Sequence, residues 1–287
     1  MAWLSLVLVG TILSASSSIV DKKVLHGQAA HPFACAVSFG IVGFPVALVG
    51  LLVLPLPSLS QAHAAILAGV LFIPAAWLYF ETLRREDVSR VAPLLKLTSL
   101  QTLVLGVLFL GERLTGRQWL AFPLLLLGGV LLSIKRNQSN FIPGRSLLRL
   151  LLATTLLTIN GILLASVYRA TSIWVGITWE SLGMVPSIVI LGLVRGTSGR
   201  SWCGETSRHS WSILLGEQTV RFLAQVMTAV AIAHGVPVAL VSTLSNASLA
   251  WVWLLALLIL KEPATSHEVL LKCGGLIGMG LGVYLLL

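Results

Sequence analysis

The chain is 287 residues long, 56% hydrophobic and only 10% charged, with a formal net charge of +9. Soluble globular proteins carry roughly a quarter charged residues, so this composition excludes a soluble enzyme or a nucleic-acid-binding module. The basic residues sit mostly in the breaks between apolar runs, where they orient a chain in a bilayer.

Ten apolar blocks follow one another, at about 3–20, 33–54, 62–81, 91–110, 116–134, 147–168, 173–194, 211–233, 236–260 and 268–287. Each is long enough to cross a hydrocarbon core of about 30 Å. Lipid offers no partner to a backbone polar group, so the blocks are expected as helices. The fold class is an all-α membrane protein with ten transmembrane helices. No Lys or Arg precedes Lys22, so the first block lacks the basic start of a signal peptide and is expected as a helix of the mature protein. Its Ser14–Ser18 run suits close helix packing.

Ionisable and amide side chains inside a span mark function by default. In chain order, Trp77 on span three is a candidate pocket residue, although Trp also favours membrane interfaces. Lys96 lies in SRVAPLLKLTSLQ of span four, with Ser99 on the same face. Asn160 interrupts span six, and Glu180 stands alone in IWVGITWESLGMVPS of span seven, free to hold a proton or a cationic group, or to pair with Lys96 or Arg221 across the bundle. Trp174 and Trp179 on span seven read as interface residues. In span eight, SWSILLGEQTVRFLAQVMTAV places Glu217, Arg221 and Gln225 at i, i+4 and i+8, one stripe in which Glu217 and Arg221 can pair. This stripe is either a structural ion pair or a site, with Arg221 as an anion clamp or Glu217 as a protonatable gate. Asn246 is the polar residue of span nine. Gly274, Gly278 and Gly282 give span ten a GxxxGxxxG face for close packing inside the chain, or for a homodimer. Three scattered cysteines (Cys35, Cys203, Cys273) and six histidines placed mostly in breaks form no metal or disulfide pattern. No GxxxxGK[ST] loop occurs. No catalytic residue, metal site or cofactor is expected.

An offset of 150 residues sets Glu112 on Glu262, Thr115 on Thr265, Gly128 on Gly278 and Lys96 opposite Asn246. The repeated helix–turn–helix, FLGERLTGRQ and LILKEPATSHE, points to an internal duplication. Its glutamates are expected at the membrane surface and its threonines as helix caps. The units are residues 1–134 and 147–287, five spans each, joined by residues 135–146. Five is odd, so the second half enters from the opposite side as an inverted repeat. The basic residues follow: breaks one and three hold five and breaks two and four hold two, whereas breaks six and eight hold one and breaks seven and nine hold four.

The stretch VSRVAPLLKLTSLQTLVLGVLFLGERLTGRQWLAFPLLLLGGVLLS resembles the signature of the EamA family of the drug/metabolite transporter superfamily. LAWVWLLALLILKEPATSHEVLLKCGGLIGMGLGVYLLL is similar in a more degenerate form, with Lys261–Glu262–Pro263 where the family usually shows Gly–Glu–Arg or Gly–Glu–Lys. The resemblance implies ten helices in two five-helix repeats, exporters of amino acids, metabolites or toxic compounds, and cytoplasmic termini. The odd breaks hold thirteen basic residues against three in the even ones, which would put the termini outside instead.

The expected function is a secondary active transporter, an exporter of a small polar metabolite such as an amino acid, working by alternating access in the inner (plasma) membrane. Lys96 and Arg221 lean toward a cargo with a carboxylate, and Glu180 or Glu217 would couple to protons. The partners are a small-molecule substrate and the lipid bilayer, and no nucleic acid. The alternative is a non-transporting membrane scaffold or lipid-interacting protein.

Overall fold

The computed structural model describes residues 2–26, 30–86, 91, 95, 97–133, 144–194, 206–255 and 266–286. Among these the chain is helical throughout, with no strand. The helices are α1 (Ala2–His26), α2 (Pro32–Val53), α3 (Leu59–Arg85), α4 (Leu97–Leu110), α5 (Gly116–Ser133), α6 (Gly144–Ala170), α7 (Ile173–Val194) and α8 (Arg208–Ala233). Then come α9 (Val238–Leu244), a 3₁₀ turn (Ser245–Ala247), α10 (Ser248–Leu255) and α11 (Ser266–Leu286). α9 and α10 together occupy the ninth predicted span. Four helices, α2, α3, α6 and α7, are long and apolar enough to cross a membrane by themselves. The outer surface carries the large side chains a bilayer would cover, among them Leu52, Leu108, Val194 and Tyr284.

The ends follow local chemistry. Pro32 opens α2, where its missing N–H costs nothing, and His31 Nδ1 accepts from Phe33 N at 3.2 Å. At α5 the expected cap is formed: Thr115 Oγ1 accepts from Gln118 N at 3.4 Å while Gln118 Oε1 accepts from Thr115 N at 2.9 Å. This is a capping box, two orphan donors satisfied at once. α8 ends in a Schellman turn, with Val236 N donating to Ala231 O and Gly235 N to Ile232 O. Gly235 there has φ +83°. Pro237 then stops the helix.

Helices meet across the two halves of the chain. α3 packs against α6 and α7, α1 against α8 and α10, α2 against α7 and α8, α4 against α6 and α9, and α5 against α11. Glycines bring backbones together where lipid gives no hydrophobic drive. A Cβ on Gly69 of α3 would lie 1.9 Å from Glu180 O, and one on Gly183 of α7 would lie 2.1 Å from Ile66 O. On α2, Gly43 and Gly50 face Ser181 and Thr178 in the same manner. Gly278 and Gly282 of the predicted small-residue face pack on Leu124, Leu125 and Ala121 of α5, whereas a Cβ on Gly274 would meet nothing within 4 Å.

Candidate functional site

The close crossing of α3 and α7 sets Glu180 in the interior at mid-helix, where it is 1% exposed. Asn160 of α6 donates from Nδ2 to Glu180 Oε1 at 3.1 Å and to Ala68 O of α3 at 3.0 Å. Gln225 of α8 donates from Nε2 to Glu180 Oε2 at 3.0 Å. Both carboxylate oxygens are thus held by neutral amides from two other helices. Among the described residues Glu180 has no cationic partner: Arg221, one of the two expected, pairs with Asp21 and Glu217 instead, and Lys96 lies outside the described residues. Beside it lies a cavity of about 20 Å³, lined by Phe39, Gly43, Ser181, Gln218, Phe222 and Gln225 among others. That is room for roughly one water.

One and a half turns back along α8, a second cluster is charged. Arg221 donates to Glu217 Oε1 on its own helix and to Asp21 Oδ2 of α1, at 2.7 and 2.6 Å. The guanidinium also stands 5.8 Å from the centre of the Phe39 ring. Gln218 donates from Nε2 to Glu217 Oε2 at 2.7 Å. Ser17 reaches Glu217 O from α1 at 3.4 Å, so one hydroxyl of the serine run does tie α1 to α8. The predicted Glu217–Arg221 pair therefore exists, but Asp21 completes it. Arg221 is already occupied by two carboxylates, which removes it as a free clamp for an anionic cargo. Among the described residues, two buried acceptor atoms here have no hydrogen-bond partner, Asp21 Oδ1 and Gln218 Oε1.

A third group sits where α4 meets α9. Ser99 donates to Ser242 O at 3.2 Å, and Asn246 Nδ2 donates to Ser99 Oγ at 3.0 Å. Asn246 lies in the 3₁₀ turn between α9 and α10, so the ninth span changes pitch at its buried amide.

Glu112 lies in the turn between α4 and α5, where the repeated helix boundary put it, and it is buried there because three groups converge on it. Arg169 at the end of α6 donates to Oε1 at 2.6 Å, and the first N–H groups of α9, Val238 and Ala239, donate to its carboxylate at 2.6 and 3.3 Å. It caps a helix 126 residues away, with the macrodipole favouring its charge. Gly111, with φ +63°, turns the chain inward there.

Of the other predicted residues, Trp77 packs on the apolar cluster around Phe80, Leu83, Leu150 and Leu214 and does not line the cavity beside Glu180. Trp174 is half exposed and lines an outer groove of about 390 Å³ with Pro45, Val49, Val53 and Thr178. Lys96, Glu262 and Thr265 lie outside the described residues. Sequence reasoning missed Asp21 because the apolar run ends at Val20. It missed Gln218 because that residue falls beside the stripe of Glu217, Arg221 and Gln225.

Apolar helices in this number define a multi-pass membrane protein. Residues 1–134 match the EamA-like transporter family. The match supports a membrane-transporter role. An uncharacterized transporter from the cobO 3' region of a Sinorhizobium species is 44% identical over 61 residues, 21% of this chain and 43% of that protein. The match thus spans less than half of that relative's length. A crystal structure of a protein 15% identical in sequence superposes with a TM-score of 0.71, covering 99% of this chain and 98% of the other. That likeness carries the fold alone.

Proposed function

We propose that the chain is a secondary active transporter, an exporter, that moves a small polar metabolite such as an amino acid by alternating access between two inverted five-helix halves, residues 1–134 and 147–287. One observation carries this reading: Glu180 is buried at mid-helix beside a small cavity, and among the described residues its carboxylate is held by the amides of Asn160 and Gln225 alone. A carboxylate without a cation in a membrane interior is costly, so its place suits a group that arrives and leaves. The ammonium of an amino acid, or a proton, is such a group, and neutral amides leave the carboxylate's charge for it.

The inverted arrangement is supported by the pairing of helices. α1 on α8 answers α6 on α3, while α2 on α7, α4 on α9 and α5 on α11 each pair a helix with its own counterpart. The family match ends at residue 134, at the boundary read for the first half. Ser99 and Asn246, on counterpart spans, meet at the pitch change of span nine. Interrupted spans of this kind carry the sites of many transporters.

The test is counterflow of labelled amino acids and small metabolites into liposomes holding the purified protein. Accumulation above that of empty liposomes is expected for at least one amino acid. A second reading, a non-transporting lipid-interacting protein, draws on the apolar groove between α2 and α7. It predicts no accumulation for any compound together with co-purification of a tightly held lipid.

A further inference from the structure

The Asp21–Arg221–Glu217 cluster has more negative charge than positive. Two buried carboxylates share one guanidinium, and Asp21 Oδ1, buried with its residue 2% exposed, finds no hydrogen-bond donor. Buried charges are stable when paired and hydrogen-bonded, so among the described residues one carboxylate here lacks a counter-charge. The two acids differ. Glu217 is on the same helix as Arg221, accepts from Gln218 and is bonded to Arg221 through both Nε and a terminal nitrogen. Asp21 belongs to α1 in the first half and reaches Arg221 across the interface between the halves.

Among the described residues the other groups near Asp21 supply no cation. Cys35 of α2 and Tyr79 of α3 feel its charge. Among its further neighbours, α9, the 3₁₀ turn and α10 contain no ionisable side chain.

The Arg221 cluster lies near the middle of α8, and a second polar clasp lies just past that helix's C-terminal end. Glu112, Arg169 and the start of α9 meet at Val236 and Val238, just past that helix. Fifteen residues separate Arg221 from Val236, about 22 Å of helix rise. Gln225, which holds Glu180, lies between the two.

We propose that Asp21 is a proton-binding site and that its protonation unlatches α1 from α8. Asp21 takes one proton from the aqueous side at the end of α1. The neutral acid loses its charge attraction to Arg221, which stays paired one to one with Glu217. α1 and α8 then part at that end while the Glu112 clasp holds the other. The proposal rests on the reading of the chain as a transporter that alternates, but its test needs no cargo. Failure of the latch and failure of transport are therefore separate results.

Spin labels are attached at Ser16→Cys on α1 and Thr219→Cys on α8, both exposed, with Cys203 and Cys273 changed to serine and buried Cys35 retained. The inter-label distance is measured by pulsed electron resonance in liposomes at neutral and at acidic pH. The otherwise unchanged Asp21 protein is expected to lengthen on acidification by about 5 Å, the scale of one helical turn. Asp21→Asn is expected to show the long distance at both pH values. Glu217→Gln, which leaves Arg221 to Asp21 alone, is expected to stay short at neutral pH. A short distance in Asp21→Asn at neutral pH overturns the proposal. So does a distance in the Asp21 protein that acid does not change, an arm that stands even if the Asp21→Asn variant does not fold.

Discussion

Glu112 shows how a single residue joins parts of the chain that the sequence keeps far apart. Its carboxylate satisfies Arg169 and two N–H groups of α9 together. Hydrogen bonds to a charged group contribute about 1.5–3 kcal/mol each, and removing the acid leaves Arg169 unpaired. Glu112→Ala is therefore expected to lower stability by roughly 2–4 kcal/mol, read as a fall in the thermal unfolding midpoint in detergent. Glu112→Gln keeps acceptor capacity and should recover part of that loss. An unchanged midpoint in Glu112→Ala would mean that water replaces the carboxylate. The glutamate was legible as part of a repeated helix boundary, and Thr115 as a cap, because both signals are local. Its burial was not legible, since its partners lie 57 and 126 residues away. The Glu217–Arg221 pair was readable from its i, i+4 spacing, whereas Asp21 arrives from 200 residues off. Likewise Asn160, Glu180 and Gln225 each stood out as polar in a span, but only the fold brings them together.

At the scale of elements, the packing of α3 on α7 positions Glu180, and two glycines permit it. A methyl group on Gly183 would meet backbone rather than a movable side chain, so the helices themselves would have to separate. Gly183→Ala is expected to abolish the single symmetric peak on size exclusion. Gly216→Ala on α8, where the added atom meets nothing within 4 Å, should leave it intact. Equal behaviour of the two variants would contradict the close crossing. Helix lengths were less readable than helix positions. α1 continues to His26 and α3 to Arg85, past the ends of their apolar runs. In α1 the extension brings in Asp21, which meets Arg221 of α8. In α3 it ends on the Glu81–Arg85 pair at 2.5 Å. Hydrophobicity marks where lipid begins, whereas a helix continues for as long as its backbone and charges find partners.

For the whole molecule, the proposed inversion of the halves makes a topological prediction. Ser58, which follows α2, and Ser207, which follows α7, occupy corresponding places in the two halves, and both are exposed. Cysteines at these positions are expected to react with a membrane-impermeant reagent from opposite faces. A cysteine at Ser172, between α6 and α7, should react from the same face as one at Ser58. Labelling of Ser58 and Ser207 positions from one face would refute the inverted arrangement. The same experiment decides which face the termini share, on which the basic residues and the family resemblance disagree. The central claim is that Glu180 receives the cargo or its coupling proton, and it is tested most directly by counterflow in Glu180→Gln. Gln retains the shape and the hydrogen-bonding reach but no charge. The account predicts at least a tenfold loss of flux, about 1.4 kcal/mol or more, with the unfolding midpoint maintained. Flux at the wild-type rate in that variant would contradict it.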